Sequence, residues 1–221
     1  MRIEVVVASL FDANCYVMWL EGSDTALVVD PGPGTLQGIE EILDKQGLSV
    51  GAVLLTHGHI DHVWQAAAVS EGAPVYIPEP DIALIQNPMG ALGMRASALG
   101  IGEWEYPAVV LPLGSEQFDP VAGITVRVIP APGHSPGSSV FLFAPTPTDA
   151  PMALSGDVIF AGSVGRTDLP GGDEYVMRES LRTLADVLDP ATVLLPGHGP
   201  QTRWGTELQT NPFVLRAQQR R

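Results

Sequence analysis
Short apolar runs broken by turn-forming residues occupy the first thirty positions. Residues 2–8, 15–20 and 26–30 are rich in β-branched and aromatic side chains and are separated by Asn, Asp, Gly and Ser. This pattern predicts three strands in an antiparallel meander. Across residues 34–47 the period changes, with Leu36, Ile39, Ile42 and Leu43 at helical spacing, and a helix is expected. Residues 52–56 then form a short buried strand, 63–69 an Ala-rich helix and 74–77 another strand. From 78 to about 114 no period holds, and Met89, Met94, Trp104 and Tyr106 in that stretch are expected to build a satellite core.

The pattern begins again near Ile124. Strands are expected at 125–129, 139–143, 152–154 and 192–195, with a helix over 174–188 whose apolar positions are Met177, Leu181, Leu184, Val187 and Leu188. The halves, about 1–115 and 116–221, thus share an element order without a residue-level repeat. Strands grouped in each half with one or two helices predict an α+β protein, its sheets packed on each other and its helices outside. At 221 residues one domain accommodates all of this.

Composition narrows the function classes. A formal charge of −14 repels phosphate backbones and anionic membranes, so neither nucleic acid nor a membrane is expected as a partner. The N-terminal apolar run is too brief for a signal-peptide core or a membrane span, and a cytoplasmic location is the expectation. A single cysteine, Cys15, leaves no internal disulfide framework. It lies in the strand-like "NCYVMWL" and reads as a packed core thiol.

The five histidines change the picture most. His57, His59 and His62 share the loop "THGHIDH" with Asp61; His134 lies in "PAPGHSPGS" and His198 in "LLPGHGPQT". Each loop follows an apolar run, which places all five at strand ends on Gly- and Pro-bounded turns and none inside a helix or strand. A rigid scaffold converges functional groups in that way. One histidine alone would read as an ordinary surface or core residue; five so placed read as a site. Imidazole and carboxylate are ligands for zinc and iron. In an extended loop His57 and His59 point the same way, while Asp61 and His62 turn towards a second point, so one loop can serve two metals. Two cations about 3.5–4 Å apart need a bridging anion, and Asp157 in "ALSGDVIF" is the candidate.

In this order, His57, His59, Asp61, His62, His134, Asp157 and His198 resemble the metallo-β-lactamase superfamily. The segments "NCY", "VVDPG", "THGHIDH", "PGHSPGS", "SGDVIFAGSVGRTDLPGGD", "LPGHGP" and "TNPFV" are similar to its short, single-domain glyoxalase II-like hydrolases. The resemblance implies a four-layer αββα sandwich with the metal site at one edge. It implies His57, His59 and His134 on one metal, Asp61, His62 and His198 on the other, and Asp157 between them. Two divalent cations follow, Zn(II) foremost, with Fe(II) or mixed occupancy the other options. Asp30 of "DPG" would orient the histidine loop, against the plainer reading of a turn residue. Arg166 in "GRTDLPGG" would contact an anionic substrate, against the plainer reading of a salt bridge that fixes its loop.

The chemistry so implied is hydrolysis of a small acyl or hydroxyacyl thioester of a low-molecular-weight thiol by metal-activated water, with Asp61 as ligand and water-orienting group. Thioesters suit such a site because a thiolate leaves as an anion with little need of a general acid. Only 23 residues follow His198, so the glutathione-holding C-terminal domain of full-length glyoxalase II is expected to be absent, and with Lys45 the sole lysine the basic residues expected to grip glutathione carboxylates are not matched. Two other readings stand beside this one. A persulfide dioxygenase of the same superfamily would hold one Fe(II) through two histidines and a carboxylate. A catalytically silent metal-binding module would be expected to have lost at least one ligand. Oligomeric state is not legible.

Overall fold
The computed structural model describes residues 1–90, 99–143 and 150–219. Met94, Arg220 and Arg221 lie outside the described residues. Two six-stranded sheets form the centre. The first runs in the order β1 (Arg2–Val7), β2 (Asn14–Trp19), β3 (Thr25–Val29), β4 (Ser49–Leu54), β5 (Val75–Pro78) and β6 (Val110–Leu113). Strands β1 to β3 are the expected antiparallel meander, and β3 to β6 pair in parallel. The second sheet has the order β12 (Thr202–Arg203), β11 (Val193–Pro196), β10 (Met152–Gly156), β9 (Ser139–Phe143), β8 (Ile124–Pro130) and β7 (Gln117–Val121).

Side-chain alternation explains the layering. On β2, Tyr16 and Met18 point between the sheets with Leu27, Val29 and Leu54, where they meet Val126, Phe141, Phe143 and Leu154 of the opposite sheet. The intervening Cys15 and Val17 face outward under Ile39 and Ile42 of helix α1 (Leu36–Gln46). Both faces of β2 are therefore covered and all six of its residues are buried, which removes the polar alternation of a half-exposed strand. The second sheet's outer face, with Val140, Ala153 and Leu194, packs under Met177, Leu181 and Leu184 of a long helix, Glu174–Val187. Helix, sheet, sheet, helix is the αββα sandwich. Cys15 is fully buried, and burial pushes its thiol well above the ordinary range, as a core thiol should be.

Several elements differ from the sequence pattern. The expected helix over 63–69 is two short ones, α2 (Ile60–Val63) and α3 (Ala66–Ser70). They separate at Gln65, whose side-chain oxygen accepts from the Leu36 amide at 2.7 Å, and whose amide donates to Pro31 O at 2.9 Å. Gln65 thus caps the first amide of α1, a group with no partner inside its own helix. The aperiodic stretch contains a 3-10 turn (Glu79–Asp81), helix α4 (Ile82–Gln86) and β6. Within it, Trp104 packs against Trp64 with ring centroids 5.5 Å apart, whereas Tyr106 is exposed. After β12 the chain adds helices Trp204–Thr210 and Pro212–Gln218. No helix among the described residues is long and apolar enough to cross a membrane.

Candidate metal centre and active site
Every loop singled out above leaves the C-terminal end of a strand. Asp30 follows β3, His57 follows β4, His134 follows β8, Asp157 follows β10 and His198 follows β11. Strands β3 and β4 run parallel, as do β10 and β11, and β8 shares the direction of β10 through the antiparallel β9. All five loops consequently emerge at one edge of the sandwich. His62 departs from the expected placement, since it lies inside α2, where a short helical turn aims it back into the cluster.

Hydrogen bonds fix which imidazole nitrogen carries the proton. Thr56 Oγ1 donates its hydrogen to Asp30 Oδ2 at 2.7 Å, so it accepts from His57 Nδ1–H at 3.0 Å. His62 Nδ1–H donates to Asp30 Oδ2 at 3.1 Å, and His134 Nδ1–H donates to the Arg166 carbonyl at 2.7 Å. In all three rings Nε2 faces the centre, and it offers its lone pair there once the ring is neutral. His57 Nε2 and Asp157 Oδ1 are buried without any hydrogen-bond partner.

Two groups of ligand atoms result, each with its members within 4.8 Å of one another: His57 with His59 and His134, and Asp61 with His62 and His198. His59 Nδ1 lies 2.8 Å from His134 Nε2, and His62 Nε2 lies 3.3 Å from His198 Nε2. Asp157 stands between the groups, with Oδ2 3.4 Å from both His134 Nε2 and His198 Nε2 and Oδ1 3.4 Å from His62 Nε2. Imidazole nitrogens and carboxylate oxygens converging on two neighbouring points are what divalent cations require, so this donor set fits two. Asp30, His57 and His62 also cluster, but the Asp30 carboxylate is already occupied by Thr56 N, Thr56 Oγ1 and His62 Nδ1, and it orients ligands instead.

Several motifs legible in the sequence turn out to support the loops. In "NCY", Asn14 Nδ2 donates to Pro196 O and Gly199 O, and Tyr16 Oη donates to Pro196 O, which holds the His198 loop from the other sheet. In "TNPF", Asn211 accepts from Phe213 N and Val214 N to cap the last helix, and its Nδ2 donates to Ser163 O in the loop after Asp157. The buried Glu207 accepts from Gly162 N in that same loop; no sequence signal marked it. Gly197 admits Asp157, because a Cβ there would stand 2.1 Å from Asp157 Oδ1.

Arg166 is the outlying member. Its guanidinium is exposed and makes two bonds to Asp168 Oδ1 and Oδ2, at 2.6 and 2.8 Å. It nonetheless lines a cleft of about 300 Å³ over the cluster, together with His59, Asp61 and the apolar Phe11, Phe160 and Leu169. The plainer reading of a salt bridge therefore describes the resting contact, and its backbone carbonyl orients His134.

Charge in the cluster is balanced by protons when no cation is present. Burial lowers His57 well below the ordinary histidine value, helped by the neighbouring imidazoles, and burial with His134 pushes His59 down to about 4. Burial opposes protonation of His62 and His198 too, but the Asp61 and Asp157 carboxylates override it and raise them to about 9 and about 10. Burial would raise Asp61 and Asp157, yet His62 and His198 hold both below the carboxylate range. Loading the metal-free protein with a divalent cation at pH 7.5 is thus expected to release about two protons per chain, measurable with a pH indicator in weak buffer. The raised histidines stabilise the metal-free fold fully below about pH 6.5, and that contribution is lost as pH rises through about 9 and 10. Release of no protons would show that cations bind elsewhere.

A model of the metallo-beta-lactamase superfamily matches residues 8–198, and the chain belongs to that superfamily. Its members are mostly hydrolases and hold a dinuclear metal centre. The chain is similar to an uncharacterized protein of Mycobacterium tuberculosis, 41% identical over 94% of this chain and 95% of the relative. It is 34% identical to the probable metallo-hydrolase YqgX of Bacillus subtilis, over 91% and 92%. It is 30% identical to the hydroxyacylglutathione hydrolase GloC of Haemophilus influenzae, over 97% and 98%. Among solved structures, the BLEG-1 B3 metallo-beta-lactamase superposes with a TM-score of 0.82 at 30% identity, covering 96% of this chain and 99% of that one. TTHA1623 in a di-iron-bound form superposes with 0.79 at 35%, over 95% and 99%. ETHE1 from Myxococcus xanthus, at 20% identity and a TM-score of 0.73 over 96% and 84%, shares the fold.

Proposed function
We propose that this chain hydrolyses a small acyl or hydroxyacyl thioester of a low-molecular-weight thiol, using two divalent cations, Zn(II) foremost. The observation that carries the reading is the cleft itself. Among the described residues lining it there are three histidines, two aspartates and one arginine, but no Ser, Thr, Cys or Lys. The His and Asp side chains there are the assigned cation ligands, which takes them out of the role of acyl-accepting nucleophile and favours water for it. Bound cations would supply an activated water and a Lewis acid for the acyl carbonyl.

His57, His59 and His134 would hold one cation and Asp61, His62 and His198 the other, with Asp157 shared between them. Asp61, ionised and with its Oδ2 3.3 Å from His198 Nε2, would ligate the cation and help to orient the water. Phe11, Phe160 and Leu169 give the acyl group apolar walls that exclude bulk water, and Arg166 at the rim attracts an anionic carrier. In the net reaction the carbonyl carbon exchanges its bond to sulfur for a bond to oxygen, and the thiol and the acid leave. Similarity to a hydroxyacylglutathione hydrolase supports the substrate class. The proposed setting is the cytoplasm, with no nucleic acid or membrane partner.

Thioester cleavage under nitrogen tests this. Protein stripped with a chelator and reloaded with Zn(II), and in parallel with Fe(II) because a similar structure holds two irons, is expected to release thiol at the same rate with and without oxygen. The stripped protein should release none. Oxygen uptake with a thiol persulfide, dependent on Fe(II) and accompanied by no thioester cleavage, would replace this reading with the dioxygenase.

A further inference from the structure
Asp81 ends the 3-10 turn after β5 and is fully buried, in a stretch whose sequence carries no periodic signal. Its carboxylate touches no ligand atom, yet it joins two ligand loops. Oδ2 accepts from the Gly58 amide at 2.8 Å and from Ser135 Oγ at 2.6 Å, and Oδ1 accepts from the Gly137 amide at 2.6 Å. Gly58 lies between His57 and His59, while Ser135 and Gly137 follow His134.

All three groups donate, and two are amides that can do nothing else. Only an acceptor with two free oxygens, a carboxylate, satisfies them at once. The backbone is shaped to let it in: a Cβ on Gly137 would stand 2.7 Å from Asp81 Cγ. The second ligand group is held by other residues, since His62 is oriented by Asp30 and the His198 loop by Asn14 and Tyr16.

We propose that Asp81 is a positioning residue that sets the spacing between the His57/His59 loop and the His134 loop, and so the affinity of the three-histidine site alone. This rests on the assignment of His57, His59 and His134 to one cation. A carboxylate acting through two loops at once should matter for metal affinity as other supporting groups do, by about 10–100-fold. Asn in its place keeps one acceptor but turns an NH2 group towards a donor.

The test uses two backgrounds, His198→Ala to keep the three-histidine site and His134→Ala to keep the Asp61/His62/His198 site. Each is titrated with Co(II) against a competing chelator and followed by visible absorption. Adding Asp81→Asn should lower affinity about 10–100-fold and alter the Co(II) spectrum in the first background, and change the second by no more than about twofold, as separated sites do. Ser135→Ala, which removes one donor and leaves both amide bonds, should act in the same background with a smaller loss, and it decides the matter if the Asp81 variant does not fold. Equal losses in both backgrounds, or none in the first, would overturn the proposal. If His198→Ala with Asp81 intact takes up no Co(II), the cation assignment falls, and this inference with it.

Discussion
Asp157→Asn should lower hydrolysis by about 10²–10³-fold, the scale on which loss of a charge-stabilising group acts, while the fold persists. The substitution keeps the volume and removes the negative charge from a side chain 3.4 Å from nitrogens in both ligand groups. Two cations about 4 Å apart would then repel without compensation. Elemental analysis should fall from about two cations per chain to about one, with the circular dichroism spectrum unchanged. A purified variant that keeps both its metal and its rate would make Asp157 merely structural.

Asp30→Ala carries the second large effect, on stability as well as metal binding. Its carboxylate accepts from Thr56 N and Thr56 Oγ1, both at 2.7 Å, and from His62 Nδ1 at 3.1 Å, and it is almost wholly buried. Truncation leaves three buried donors without a partner, at a cost of about 3–5 kcal/mol, and frees the His57 and His62 rings to change tautomer. Asp30 also holds φ at 51°, in the left-handed region that Asp adopts more readily than Ala, so the substitution relieves no backbone strain. Urea denaturation of the metal-free proteins measures the loss, and a chelator competition should show metal affinity down by at least about 10-fold. A stability change within about 0.5 kcal/mol would return Asp30 to the role of a turn residue.

The site was more legible than its supports because its ligands are local in sequence. Four of the seven candidate ligands fall between His57 and His62, and each remaining one follows an apolar run that had to be a strand. What held them in place was hidden. Asp81 meets its donors 23, 54 and 56 positions away, and Asn14 reaches Pro196 O across 182. A residue type and its immediate neighbours carry no trace of such a partner. Glu207 likewise gives no sign in sequence that it will be buried against Gly162.

By itself the sequence determined the meander, the main helices, the order of the ligand loops and the sign of the protein's charge, since these follow from hydrophobic period, turn chemistry and ionisable groups counted along the chain. Only the tertiary structure decided the rest. Gln117–Val121, with Pro120 in its midst, became an edge strand because β8 lay beside it to pair with. The expected helix over 63–69 broke because Gln65 was drawn to the end of α1. Arg166 was turned outward to Asp168 while its carbonyl accepted the hydrogen bond from His134 Nδ1–H. Gln65 meets Leu36 29 positions away and Arg166 meets His134 at 32, and hydrogen-bond satisfaction in a closed, buried structure selected these outcomes.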